Sequence, residues 1–221
     1  MWFDSYGGYH EEKSLAYSII CYSHSFINWL SLCYSVLKYP IVENLGWSDR
    51  TVTVSFTIAI ALLGTSAASF GRFVEKWGPR KSATIAAFFF ASGQVIAGFG
   101  MLSSSVTLFY LGYGVIGGIG LGLGYISPVS TLVKWFPDRR GLATGMAVMG
   151  FGAGSLIAAP VITQLIKGVG LHNMFFIMAA VYFILMISGA SYIVKPVEGY
   201  MPNLTATKAK KPKKLRLVYS N

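Results

Sequence analysis

A chain of 221 residues with 54% hydrophobic residues, only 12% charged ones and a mean hydropathy of +0.57 carries about half the charge of a soluble domain of that length. Those figures exclude a disordered chain, a nucleic-acid-binding module and an ordinary soluble enzyme. The formal net charge of +10 sits in loops and in a short tail from Lys208 to Arg216, with no folded soluble surface to present it to nucleic acid.

The apolar residues fall into six runs, at about 15–37, 51–70, 83–103, 106–133, 142–166 and 174–194. Each is close to the roughly 20 residues that a helix needs to cross about 30 Å of hydrocarbon. The expectation is an all-α membrane protein with six transmembrane helices over residues 15–195, a short tail at 1–14 and a basic tail at 196–221. The opening stretch holds Asp4, Glu11 and Glu12 rather than a basic region before a short apolar core, so no cleavable signal peptide is expected.

In the first run, Cys21 and Cys33 lie about 18 Å apart along one helix and cannot bond to each other there. His24 and Asn28 are four apart, hence on one face, with Tyr17, Ser31 and Ser35 nearby in the same stripe and Tyr34 beside it. Hydrogen bonds between helices and the lining of a cavity both fit this stripe. One histidine and an amide are too few to hold zinc, and no metal or cofactor is expected. Between the second and third runs lies Gly71-Arg72-Phe73-Val74-Glu75-Lys76-Trp77-Gly78-Pro79-Arg80-Lys81. It reads as a helix end closed by a turn: Gly71 permits close helix approach, Gly78 and Pro79 reverse the chain, and Glu75 stands among Arg72, Lys76 and Arg80.

The third and sixth runs are bulky around most of their circumference, with Phe88, Phe89 and Phe90 in one and Phe175, Phe176 and Tyr182 in the other, which suits contact with lipid. Gln94 in the third reads as a packing hydrogen bond. In the fourth, Gly114, Gly118 and Gly122 are spaced by four along one face, as are Gly150 and Gly154 in the fifth, so that another backbone can come close. Pro128 and Pro160 interrupt the hydrogen-bond ladders of these two runs and permit a kink. Between them, Asp138 is expected as a helix N-cap, and Arg139 with Arg140 would hold the loop at the membrane face. No charged residue lies well inside any run, so an intramembrane ionic site is not expected within this chain. An intramembrane serine protease is also not expected: Ser191 follows a small-residue turn, but no histidine follows it to act as base.

Lys13, the second-to-third and fourth-to-fifth connections and the C-terminal tail hold all the basic residues except Lys38, Arg50 and Lys167. By the positive-inside bias, both termini are expected in the cytoplasm of a cell-membrane protein.

The loop at 71–81 resembles the signature of the major facilitator superfamily between its second and third spans, with Gly71, Glu75, Gly78 and Arg80 at matching places. A second likeness narrows the branch. Tyr125-Ile126-Ser127-Pro128, the stretch from Lys134 to Gly145, and Gly150-Phe151-Gly152 resemble the fourth and fifth spans of the oxalate/formate antiporter branch, whose close relatives are the monocarboxylate porters. Gly46-Trp47-Ser48 and Pro196-Val197-Glu198-Gly199-Tyr200 fit it too.

The resemblance implies one half of a major facilitator fold, a six-helix unit built as a 3+3 inverted repeat. It implies secondary transport of a small organic anion, oxalate/formate-like or monocarboxylate-like, by alternating access, with a bilayer around the chain. Tyr125 and Phe151 would shape the cavity around a small carboxylate, although core packing fits both as well. Glu75 and Arg80 would belong to the cytoplasmic gate. His24, Asn28 and Tyr34 differ from the oxalate transporters' usual set on the first helix, so the implied substrate is a small organic anion in general. The cations that neutralise it would come from a second six-helix half, whether a separate chain, a second copy or the missing part of a truncated or split product. The competing expectation is a non-transporting scaffold or assembly subunit that keeps the half-fold.

Overall fold

The computed structural model describes residues 34–135 and 140–193. Among these every regular element is helical. Helix α1 spans Tyr34–Leu45, α2 Asp49–Trp77 and α3 Pro79–Leu102. Helix α4 runs over Val106–Trp135, α5 over Arg140–Val169 and α6 over Leu171–Tyr192. Four of them, α2, α3, α4 and α6, are long and apolar enough to cross a membrane, and the 24 residues of α3 alone reach about 36 Å. Of the first expected span only the end, in α1, is described, and within α5 the stretch Ala158–Val169 is apolar.

The helices outrun the apolar segments because hydropathy falls before helical geometry does. The first run was expected to end near residue 37, yet α1 continues through Pro40 to Leu45. The Asn44 side chain helps there by donating to the Pro40 carbonyl at 2.7 Å. Helix α2 extends past its apolar part through Arg72, Glu75 and Lys76, good helix formers whose charges can reach water. It starts on Ser48, whose hydroxyl accepts from the Thr51 amide at 3.3 Å, and Asp49 in its first turn pairs with Lys38 of α1 at 2.7 Å.

The packing order differs from the chain order. Helix α4 lies between α2 and α3, and α3 packs on its other side against α6. Helix α5 touches α4, α6 and α1.

Glycine makes the first two seams. On α4, a methyl group added at Gly118 would lie 2.8 Å from the Ala59 carbonyl oxygen and 3.0 Å from its Cα. One at Gly122 would strike the Ser66 hydroxyl and come within 2.6 Å of the Leu63 carbonyl, and one at Gly114 would press on Ile58 at 3.1 Å. Three of the facing residues of α2 are themselves small, Ser55, Ala59 and Ser66, and all three are buried. The two serines donate within their own helix, to the Val52 and Leu63 carbonyls at 2.7 and 3.2 Å, so burial leaves their hydroxyls satisfied.

The other side of α4 meets α3 equally closely. A methyl at Gly120 would lie 2.6 Å from the Phe90 amide nitrogen. Between Tyr110 and Ile116 the helix widens into a π-helical turn, closed by the Gly117 N–H donating to the Gly112 carbonyl. That five-residue step places Gly112 and Gly117 together against Gly93 of α3, where a methyl would come within 2.8 Å of the Gly112 oxygen and 2.6 Å of the Gly117 nitrogen. An ordinary α-turn would rotate the two glycines well apart.

Aromatic rings make the third seam. Phe90 packs on Tyr182 at 5.6 Å, Phe88 on Phe183 at 4.9 Å and Phe99 on Phe176 at 5.2 Å between centroids. The lipid contact expected of α3 and α6 is therefore confined to part of each helix. Phe90, Phe175 and Tyr182 are buried, while Phe88, Phe89, Phe99 and Ile184 remain exposed. Bulky residues all round a helix carry no periodicity, and the partner helix decides which face is covered.

The seams predict a contrast between glycines. Gly118→Val should destabilise the purified chain by about 1–3 kcal/mol through overpacking in detergent-denaturation titrations. Gly64→Ala in α2, where a methyl meets nothing within 4 Å, should be neutral or stabilise by about 0.5–1 kcal/mol. Equal effects at the two positions would contradict the tight α2–α4 approach.

Candidate functional site

The signature stretch folds as a helix end, one turn residue and a helix start. Gly78 has φ 92 and ψ 153, a conformation that residues with a Cβ rarely adopt, and it both ends α2 and precedes α3. Its N–H donates to the Val74 carbonyl at 3.0 Å, and its own carbonyl accepts from the Ser82 amide at 3.2 Å and hydroxyl at 2.9 Å. Pro79 occupies the first turn of α3, where its missing N–H has no cost. Two long helices are thereby reversed with a single residue between them.

Glu75, one turn before that reversal, pairs with Lys134 at 3.6 Å. Lys134 belongs to the last turn of α4, so the pair joins the basic ends of α2 and α4. The sequence reading set Glu75 among its neighbours Arg72, Lys76 and Arg80 and missed this partner, which lies far along the chain. Placing α4 beside α2 on the Gly114, Gly118 and Gly122 face would have been the route to it. Gly71 does not play the part expected of it among the described residues, since a methyl there would meet nothing within 4 Å. Arg80 is exposed in the first turn of α3.

Tyr125 is half-buried on α4, three residues beyond Gly122 and so near the face that meets α2. Pro128 follows within the same helix, and Ser127 and Thr131 are buried around it, donating to the Leu123 and Ser127 carbonyls at 2.9 and 2.8 Å. Phe151, Gly150 and Gly154 lie on α5 together with Pro160, and their packing falls outside the described residues. The same holds for the side chains of Tyr34, which opens α1, and Arg140, which opens α5. His24, Asn28, Asp138 and Arg139 also lie outside the described residues.

At the opposite end, the loop before α2 is anchored by Trp47, whose ring packs on Phe109 at 5.5 Å. Phe109 in turn stacks on Tyr113 at 5.4 Å and meets Phe175 edge-on at 6.2 Å. Each end of the bundle thus has its own cross-helix fastening, the Glu75–Lys134 pair at the basic end and, at the other, the aromatic cluster together with the Lys38–Asp49 pair.

The sequence profile of the Major Facilitator Superfamily matches residues 18–220. The chain belongs to the Major Facilitator Superfamily. It is 33% identical over 166 residues to the oxalate:formate antiporter of Oxalobacter formigenes, covering 73% of this chain and 37% of that protein. It is 30% identical over 181 residues to the MFS-type transporter YhjX of Escherichia coli, 74% of this chain and 43% of that one. A monocarboxylate transporter 9 from Gallus gallus is 30% identical over 175 residues, 76% of this chain and 33% of its own. The likeness to the oxalate/formate and monocarboxylate branch is thus borne out, and the chain is a transporter-family membrane protein rather than an enzyme. It spans well under half the length of these curated relatives.

With side chains 44% and 65% exposed, the Lys134–Glu75 pair is screened by solvent. A double-mutant cycle of Glu75→Gln and Lys134→Gln on unfolding should give a coupling of no more than about 1 kcal/mol. A much larger coupling would mean that the pair is a main support of the fold.

Proposed function

We propose that this chain forms the N-terminal six-helix half of a secondary transporter of small organic anions, with its basic end and both termini in the cytoplasm. The similarity of some three-quarters of the chain to a protein named an oxalate:formate antiporter and to one named a monocarboxylate transporter carries this reading. Transport proceeds by alternating access, in which this half rocks as a body against a second six-helix half and the anion is held between them. The glycine seams around α4 support such rigidity, because tightly packed interfaces deform little.

Within the site, the rings of Tyr125 and Phe151 shape the cavity, and His24, Asn28 and Tyr34 supply hydrogen bonds from the first helix. A small carboxylate brings a full negative charge, and burying it without a counter-charge is costly. None of the apolar runs has a cation well inside it. The neutralising charge therefore comes from the second half, whether on the same polypeptide or another. At the cytoplasmic end, Glu75, Arg80 and the loop from Asp138 to Arg140 form this half's part of the gate. Opening the cytoplasmic side separates the two halves there, and Glu75 at the end of α2 and Lys134 at the end of α4 are what the partner half would engage. No residue here selects between anion exchange and proton-coupled uptake.

Reconstitution into liposomes with labelled oxalate, formate and lactate tests the reading. Uptake should require a second six-helix half from a carboxylate transporter, and Tyr125→Ala should lower it about tenfold, equivalent to about 1.4 kcal/mol. Equal uptake by this chain alone would contradict the need for a second half. A folded complex that carries none of the three anions would support a scaffold instead.

A further inference from the structure

A cleft of about 360 Å3 opens at the basic end of the bundle between α2 and α3, with Ile119 and Leu123 of α4 at its back. Phe73 and Trp77 form one rim, packed edge to face at 5.6 Å, and Phe89 stands on the other. These three rings are 46%, 51% and 42% exposed. Ser82 is the one lining residue with a side-chain hydroxyl, and that hydroxyl is already spent on the Gly78 carbonyl at 2.9 Å. The wall is thus almost entirely carbon.

Along α3 the cleft runs from Ser82 to Phe89, about 10 Å of helix leading from the basic end toward the middle of the membrane. Its mouth is flanked by cations. Lys76 precedes Trp77, Lys81 precedes Ser82, and both are exposed, as are Arg72 and Arg80 close by. An apolar slot that descends into hydrocarbon from a cluster of exposed cations is complementary to one molecule type, a lipid with a negative headgroup. A packed helix fits the rim less well. Helix association in a bilayer depends on small residues that let backbones approach, and this rim carries Phe73, Trp77 and Phe89.

We propose that the cleft holds one acyl chain of an anionic phospholipid, whose headgroup is bound by Lys76 and Lys81. The bound lipid lies against the short reversal at Gly78, so it couples the charge of the surrounding membrane to the junction of α2 and α3. The inference is independent of the transported substrate and of which side of the membrane the basic end faces, because the slot and its cations lie at the same end.

The test uses the full chain in phosphatidylcholine vesicles that contain an equal mole fraction of brominated phosphatidylglycerol or brominated phosphatidylcholine. Trp77 emission is read as the difference between the wild type and Trp77→Phe. Brominated phosphatidylglycerol should quench it about twofold more than the neutral lipid, and Lys76→Gln with Lys81→Gln should abolish that excess. Should Trp77→Phe fail to fold, the wild type and the double lysine variant decide alone, since the excess quenching of total emission must vanish with the two charges. Equal quenching by both lipids overturns the headgroup assignment. No quenching of Trp77 by either overturns the lipid and means that a second copy of the chain covers the cleft.

Discussion

Everything in this fold depends on how closely α4 approaches its two neighbours. Its backbone is pressed against α2 through Gly114, Gly118 and Gly122 and against α3 through Gly112, Gly117 and Gly120. In a bilayer there is little hydrophobic gain in bringing helices together, so dispersion contacts between backbones have to supply the attraction. A helix with glycine on both sides can make those contacts twice. The π-helical turn at Tyr110–Ile116 adjusts the register so that Gly112 and Gly117 both meet Gly93. The aromatic seam of α3 with α6 and the ionic and aromatic fastenings at the two ends are built on that frame.

The frame also determines where chemistry can occur. Tyr125 sits on α4 just beyond the seam with α2, held by the same helix that the glycines immobilise. A ring in that position is aimed by a rigid element rather than by a loop, which suits a residue that must shape a cavity. The basic end is arranged differently. There the reversal at Gly78, the exposed Glu75–Lys134 pair and the cations of α2 and α3 are all accessible. Weak, solvent-screened contacts of this kind can be exchanged for others at little cost. A half-transporter would need both features, a stiff body and a set of replaceable contacts at its moving edge.

Much of this was legible in the residues, and the gaps have physical causes. The glycine spacing on α4 announced a close seam because four-residue periodicity survives in any helix. It did not name the partner, although Ser55, Ala59 and Ser66 on α2 form a matching stripe of small residues. The reversal at Gly78 was readable from Gly78-Pro79 alone. The π-helical turn was not, since one extra residue in a turn leaves hydropathy unchanged. Nor was the Glu75–Lys134 pair, because local charge neighbours mask a distant one. The lipid-facing sides of α3 and α6 were overestimated for want of any periodicity in their aromatics. Of the candidate cavity, Tyr125 could be placed, while His24 and Asn28 lie outside the described residues.

The central claim is that these helices move as one body while an anion is carried. Spin labels on the two helices that end the packed row, at Ile60 of α2 and Ile184 of α6, report on it directly, since both positions are exposed. With a second six-helix half present, the distance between the labels measured by double electron–electron resonance should be a single narrow distribution, unchanged when oxalate or lactate is added. A shift of several ångströms, about the step of one helical turn, or a second population on adding the anion would contradict it, because the glycine seams would then have to slide during transport.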